Sequence, residues 1–575
     1  MTSDPTGTPI SSAPTFDIRQ IPFSRRGSWL DVSPVIGTHR THELLHLVSH
    51  QTGMNAVLQF RPSRPAVIAA SATTLSWVTD GGRIDAVFET PDTLRLRGIG
   101  LELTVADAAE ELTPFSGAYL FRDPVDGSAV FTSYESGRRY RVTVVRGELR
   151  LEGGEALGSA PRAVTVAGAE WDAVVEEYET GRPPYREQGA FDDAVVEVMR
   201  DFDGFLSAVA PWRSPSTPAA PLAAYVLWSA TVEPSGFVGR ETILMSKHWM
   251  DKVWSWDHCF NALAVVAGLP GAGVDNFLLP FNHQEKSGAL PDSVAHSEVL
   301  HNFVKPPIHG WALRGLRARA PERFDHDTLA EIHRGLAAWS RFWLSRRVPD
   351  HALPHYQHGN DSGWDNSTTF DADRVIESPD LAAFLGVQLD VLADLTDELS
   401  LEGAAEWRAE ADALFDALQT QLWRGDRFVA RAAASGRESS SSSLLNVLPL
   451  VASDRLRPEI VGALVSRLDA HLTEWGLATE PTASALYESD GYWRGPIWAP
   501  STVLVYDGLR AAGHDALAAE VRRRFLRLCE RSGFAENFDA VTGDGLRDRA
   551  YTWTASAYLL LAADDTAPSQ RIRGN

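Results

Sequence analysis

Ala404-Ala405-Glu406-Trp407-Arg408-Ala409-Glu410-Ala411-Asp412-Ala413-Leu414-Phe415-Asp416-Ala417-Leu418-Gln419-Thr420-Gln421-Leu422-Trp423 carries apolar residues at helical spacing. Ala516 to Leu528 repeats the texture. From about residue 190 onward such segments follow one another. The stretches joining them hold Gly, Pro, Asn, Asp and aromatic residues. Helix after helix, with chemistry-bearing residues in the connections, predicts a helical barrel or toroid. Upstream the texture is different. Ala66-Val67-Ile68-Ala69, Thr93-Leu94-Arg95-Leu96-Arg97-Gly98-Ile99 and Arg141-Val142-Thr143-Val144-Val145 are short and rich in β-branched residues. Turn signals such as Asp80-Gly81-Gly82 and Asp126-Gly127 separate them, at a spacing that suits an antiparallel β-sandwich.

The expected organisation is a flexible tail at 1–19, a β-sandwich at 20–178, a linker at 179–189, a mainly α catalytic domain at 190–565 and a tail at 566–575. The linker is read from Gly181-Arg182-Pro183-Pro184. Ser435 to Ser443 holds five consecutive serines and reads as a mobile loop, with a lid as the functional alternative.

A length of 575 residues exceeds one ordinary core. The net charge of −23 argues against nucleic acid and anionic membranes as partners. It selects no small-molecule partner and leaves self-association open; the small carbohydrate expected as partner is read from the motif segments. Two cysteines, Cys259 and Cys529, argue against a disulfide framework. Met1 to Pro14 lacks the apolar core of a signal peptide, and no stretch is apolar over a bilayer's thickness, so a cytoplasmic location is expected.

Asp361-Ser362-Gly363-Trp364-Asp365-Asn366-Ser367 and Glu536-Asn537-Phe538-Asp539 set two carboxylates among aromatic and amide residues. Hydrolysis of a glycosidic bond needs such a pair, one protonated and one not. The indole of Trp364 lowers polarity around Asp365 and favours the acid form; amide donors near Glu536 favour its charged form. Either acid could instead be a helix cap or a surface loop residue. Asp257, in Trp254-Ser255-Trp256-Asp257-His258-Cys259-Phe260, could accept from sugar hydroxyls or cap a helix. Arg494 could pair with a site carboxylate or make a structural ion pair. The 18 tryptophans include clustered ones beside acids and amides, where flat rings suit sugar faces; the alternative is core packing. His258, His283, His296, His301 and His309 match no compact metal motif, and no dinucleotide or phosphate loop opens a strand-turn-helix unit, so neither metal nor cofactor is expected.

With Lys305-Pro306-Pro307-Ile308-His309-Gly310-Trp311 and Tyr492-Trp493-Arg494-Gly495-Pro496-Ile497-Trp498, these segments occur in an order that resembles the glycoside hydrolases of family 63. The family 37 trehalases and the amylo-α-1,6-glucosidase-like proteins are more distant likenesses. The resemblance covers roughly residues 220 to 565. It implies an (α/α)6 barrel and an inverting, exo-acting α-glycosidase, most often an α-glucosidase, that needs no cofactor. It places Asp365 as general acid and Glu536 as general base. It places Trp256 and Asp257 on the terminal sugar, with Trp364, Trp493, Arg494, Gly495 and Trp498 lining the pocket; Asn366 joins that substrate-binding set. The chain departs from the family pattern at Thr368-Thr369-Phe370, on the aglycone side. Rival readings are an α-mannosidase or α-rhamnosidase on a similar barrel, a lyase using Tyr356 or His355 as base, and a non-catalytic carbohydrate-binding protein.

Overall fold

A computed structural model of the chain describes residues 13–109, 111–154, 156–348 and 353–564. Residues 1–12 of the expected N-terminal tail, and the expected tail at 566–575, lie outside them. Residues 13–19 are not a tail: the strand Thr15–Phe16 pairs with Ser71 and Ala70 at a sheet edge.

The described residues group into two compact units. The first contains one antiparallel sheet of thirteen strands. Its hub is the long strand Ala163–Tyr178. On one edge the hub pairs with Arg139–Glu152. On the other, Glu170 to Glu176 pairs with Thr93–Ile99, and Ala163 to Val166 pairs with Leu103–Asp107. The two separate sheets of a sandwich are therefore one continuous ladder that changes partner along the hub. Gly147 (φ 107°) and Gly168 (φ 144°) permit bends there that a side chain would resist. Phe60, Trp77, Leu94, Phe131, Tyr140 and Trp171 belong to its core.

The chain does not divide at residues 179–189. The first unit runs through Ala208 and takes in Ala224–Lys252 and Ala295–Ser297. Specific bonds account for this. The Arg97 guanidinium lies 4.3 Å from the Phe191 ring centroid, at the start of the helix Phe191–Val209. Lys247 Nζ donates to Ser28 O at 2.6 Å, and His50 bridges Asp31 and Asp251. Helical content is 37%, so "mainly α" describes the second unit rather than the chain.

In the second unit six segments form an inner ring: Asp257–Val265, His309–Arg319, Pro379–Glu398, the 3-10 segment Leu444–Ala452, Ala499–Ala511 and Thr552–Ala563. Each packs on the next, and the last packs on the first. Asp257–Val265 and Leu444–Ala452 are buried at every residue, as a segment enclosed on all sides must be. An outer helix follows each of the first five: Pro270–Leu278, His326–Arg346, Ala404–Ala417, Pro458–His471 and Asp515–Ser532. The helix expected over Ala404 to Trp423 ends at Ala417 and continues as a π turn, Leu418–Leu422. Because each outer helix carries the chain back, the inner segments run alike and their N-terminal ends gather at one end of the ring. All five motif segments lead into inner helices, and so sit at that end. The serine run leads into the remaining inner segment, Leu444–Ala452, where Ser443 Oγ accepts from Leu445 N.

Asp361 fixes two of these loops. Its Oδ1 accepts from Val304 N at 3.1 Å, and its Oδ2 from Gln357 N at 2.8 Å and Arg347 Nη1 at 2.9 Å. The Asp361 and Arg347 side chains are 2% and 9% exposed. Removing one partner of such a pair strands the other charge in a dry interior. Asp361→Ala should therefore cost about 3–5 kcal/mol of stability, measurable by denaturant unfolding. An unchanged midpoint would show that the anchor is dispensable.

Candidate active site

Asp365 sits just past a tight turn that its sequence prepares. The 3-10 turn Gly359–Ser362 ends at Gly363, which adopts φ +71°. A Cβ there would lie 2.4 Å from the Trp256 indole, so only glycine lets this backbone approach that ring. Ser362 Oγ donates to Gly359 O at 2.6 Å and accepts from Trp364 N at 3.1 Å. Asn366 then clamps the loop to the Tyr492 segment: its Nδ2 donates to Gly491 O and its Oδ1 accepts from Trp493 N, both at 3.0 Å. Each end of the amide bonds backbone, so Asn366 also positions the loop, beside the sugar contact expected of it.

The Tyr492 segment reaches the Glu536 segment in turn. Ile497 and Phe538 exchange backbone hydrogen bonds at 2.7 and 3.0 Å, two residues beyond Glu536. Glu536 N donates to Asp548 O at 2.7 Å. Folding therefore brings the two carboxylates, 171 positions apart in sequence, onto loops tied to one common strip.

The indoles are mostly committed to one another. Trp493 is stacked between Trp364 (centroids 4.6 Å) and Trp498 (3.9 Å), so neither of its faces is open as a sugar platform. Trp498 and Trp256 both meet Trp553 edge-on, at 5.5 and 5.6 Å. All four predicted indoles are almost fully buried. They form a rigid apolar backing for the acids. Arg494 forks onto Asp371 at 2.8 and 2.9 Å and reaches Glu488 at 3.0 Å, the structural ion pair of the two readings. Gly495 has no room for a side chain: a Cβ would lie 2.5 Å from Glu488 O.

Burial dominates the electrostatics. Asp257, in the first turn of its helix, is pushed up to about 8 by burial, with Asp365 and Asp292 adding to the rise and Lys305 opposing it. Asp365 keeps partial solvent exposure while protein surrounds it on nearly every side. Burial raises its pKa, Lys305 works against the rise, and Asp292 adds to it. Glu536 is 1% exposed and is pushed up to about 7, by burial first and then by the charge of Asp548; a hydrogen bond from Tyr492 and the charge of Arg547 hold it back. The Asn537 side chain does not supply the expected amide stabilisation of Glu536, because its Oδ1 accepts from Arg547 and its Nδ2 finds no partner among the described residues; the backbone of Asp548 supplies a smaller one. Asp257 Oδ2 and Glu536 Oε1 likewise have no protein partner there. The Tyr492 hydroxyl feels Glu536, Asp365 and Asp257 together, which makes it the common neighbour of all three acids.

Sequence reasoning quoted Tyr492 and Lys305 without giving them roles, and it missed Asp292 and Asp548. No local signal marks the last two. It also missed that His258, Cys259 and His309 converge, with candidate ligand atoms within 4.8 Å of one another. These three could hold a metal ion. They are fully buried among Phe277, Phe281 and Trp339, where burial keeps both imidazoles neutral. Cys259 and Cys529 are both free and buried. Tyr356 is fully buried and donates to Asp380 at 2.9 Å, which removes it as a lyase base. Ser441 and Ser443 are tied to Thr368 and Ser367, at 2.5 and 3.1 Å, so the serine run is bonded down onto the Asp365 loop.

The paired helices close into a ring of the (α/α)6 kind, with carboxyl groups gathered at the N-terminal ends of its inner segments. Residues 250–554 match the mannosylglycerate hydrolase MGH1-like glycoside hydrolase domain, and the chain belongs to that family. A mannosylglycerate hydrolase of Rubrobacter radiotolerans is 25% identical over 398 residues, 53% of this chain and 89% of that protein. One from Thermus thermophilus is 39% identical over 82 residues, 14% of this chain and 20% of that protein. Among solved structures, a family 63 mannosylglycerate hydrolase of Thermus thermophilus in complex with glucose covers 59% of this chain and 99% of its own at 21% identity (TM-score 0.54). A bacterial glucoamylase with acarbose covers 96% of this chain and 95% of its own at 11% identity (TM-score 0.61), which extends the likeness of fold to the β domain.

Tyr492→Phe deletes the donor that favours the Glu536 carboxylate. The acid limb of the pH–kcat/KM profile should then move up by about one pH unit. An unmoved limb would show that the phenol does not govern Glu536.

Proposed function

We propose that the chain is an inverting, exo-acting glycosidase that cleaves the α-linkage between a hexose and a small hydroxy-acid or polyol acceptor of the glycerate kind. The observation that carries this reading is the shared neighbourhood of Asp365, Glu536 and Asp257 around the Tyr492 hydroxyl. Supporting the substrate class are the relatives named for mannosylglycerate and a related structure in complex with D-glycerate. An α-glucoside is the nearest alternative sugar, because a pocket that grips one hexose distinguishes another only by its hydroxyl contacts.

In this reading Asp365, whose pKa is raised by burial, gives its proton to the leaving oxygen as the anomeric C–O bond breaks. Glu536, ionised, takes a proton from a water that attacks the anomeric carbon from the opposite face. The acceptor leaves as an alcohol, the sugar carries the water's hydroxyl, and no covalent intermediate forms. Asp257, pushed up to about 8, is protonated at neutral pH and can both donate to and accept from sugar hydroxyls. Glu536 must lose its proton to act, so activity should rise with pH through about 7.

Release of free hexose from α-mannosylglycerate, α-glucosylglycerate, trehalose and maltose should favour the glycerate conjugates. Proton NMR of the first-formed sugar should show the β-anomer. Asp365→Asn and Glu536→Gln should each lower kcat by roughly 10²–10⁴-fold or more with the fold intact. Retention of configuration, or an Asp365→Asn enzyme with normal turnover, would end the reading.

A further inference from the structure

The acids are unevenly matched by cations. Asp257, Asp292 and Asp365 feel one another, and the cation acting most strongly on both Asp257 and Asp365 is Lys305. The stretch Lys305-Pro306-Pro307 is held extended by its prolines on the way into the helix His309–Arg319. Lys305 is 5% exposed. Its Nζ lies 3.0 Å from Asp292 Oδ1 and donates to Asn360 O at 2.8 Å, in the turn that leads to Asp365. The neighbouring Val304 N bonds to Asp361, so the lysine cannot drift from that turn.

We propose that Lys305, with Asp292 as its counter-ion, is a positioning residue that sets how readily Asp365 gives up its proton. The proposal rests on the reading of Asp365 as general acid. When the Asp365 O–H bond breaks and the proton passes to the leaving oxygen, a carboxylate is left beside Asp292 and Asp257. A fixed ammonium lowers the energy of that product and of the transition state leading to it, without moving at the moment of reaction. Lys305 keeps its own proton throughout; the three carboxyl groups around it outweigh its burial and hold its pKa above the usual lysine value. The titratable groups that act on Asp365 include Lys305, Asp292, His358, Asp257 and Tyr492; the His358 Nδ1 accepts from Asn360 N, which leaves Lys305 as the ammonium among them. A lysine serving only as a brace between Asp292 and Asn360 would leave the acid's proton affinity alone.

The two roles separate in the alkaline limb of the pH–kcat profile, where Asp365 loses its proton. Lys305→Met should move that limb up by about one pH unit and lower kcat several-fold, because a weaker acid protonates the leaving oxygen more slowly. Asp292→Asn should move the limb down. Lys305→Arg should leave it near the wild-type position. Repeating the comparison in an Asp257→Asn background removes the other carboxyl that titrates in this range. Opposite displacements in Lys305→Met and Asp292→Asn support the proposal, since damage to packing does not change sign with charge. A Lys305→Met enzyme that is slower with an unmoved limb overturns it. If Lys305→Met fails to fold, an unmoved limb in Asp292→Asn overturns it as well. Turnover by Asp365→Asn would instead remove the general-acid reading, and is seen without touching Lys305.

Discussion

Carboxyl groups crowded where water is scarce are the constraint behind the rest of this site. Asp257, Asp292, Asp365 and Glu536 lie at one end of the helical ring, with Asp548 behind Glu536. An isolated ionised carboxylate in such surroundings costs far more than its neighbours return. The protein meets the cost in two ways: one buried ammonium is shared, and Asp257, Asp365 and Glu536 hold their protons to higher pH than carboxyl groups in water. Strongly perturbed acids in this setting are a stability cost that a fold without chemistry to perform would shed. The displacement of Glu536 to about 7 corresponds to a few kcal/mol of proton affinity, on the order of a third of a typical domain's stability.

The scaffold must hold these groups against their tendency to escape to water. It does so with bonds that pass from loop to loop. Asn366 ties the Asp365 loop to Gly491 and Trp493, Arg494 ties the same two loops through Asp371, and Ile497 ties the second to Phe538. At the centre of this chain Tyr492 adopts φ +65°, and Arg547, over its ring at 5.0 Å, adopts φ +59°. Such backbones cost roughly 1–3 kcal/mol each and survive only where surroundings over-determine them. Here Trp498 Nε1 donates to Tyr492 O at 2.8 Å, and Arg547 bonds Asn537 and Asp490. From this backbone the Tyr492 phenol reaches Glu536.

Much of this was legible in the sequence, and the remainder was not for identifiable reasons. Spacing located the helices, and the order of five motifs located the loops, because apolar periodicity and Gly-Trp-Asp chemistry are local. What each side chain faces is not local. The sequence showed Asn537 beside Glu536 but not that Arg547 claims its oxygen. It showed clustered tryptophans but not that Trp493 is covered on both faces. Five consecutive serines resemble a mobile loop in composition; hydroxyl bonds to Ser367 and Thr368 tie the run down. The boundary between units was misjudged because Ala224–Lys252 returns to the first unit through Lys247 and Asp251, charged residues with no pattern around them.

In the proposed reading Asp365 rather than Asp257 is the acid, a choice that geometry supports better than proton affinity does. Asp257 holds its proton more firmly than a carboxyl in water by a wide margin, which by itself would nominate it. Yet it is fully enclosed at the start of an inner helix, 5% exposed, with the Trp256 indole beside it in sequence. Asp365 keeps partial exposure and stands on a loop rather than a helix, close enough to Lys305 for its conjugate base to be tolerated. In the proposed reading the acid that gives its proton away stands at the edge of the dry region. A carboxyl that must only grip hydroxyls can sit within it.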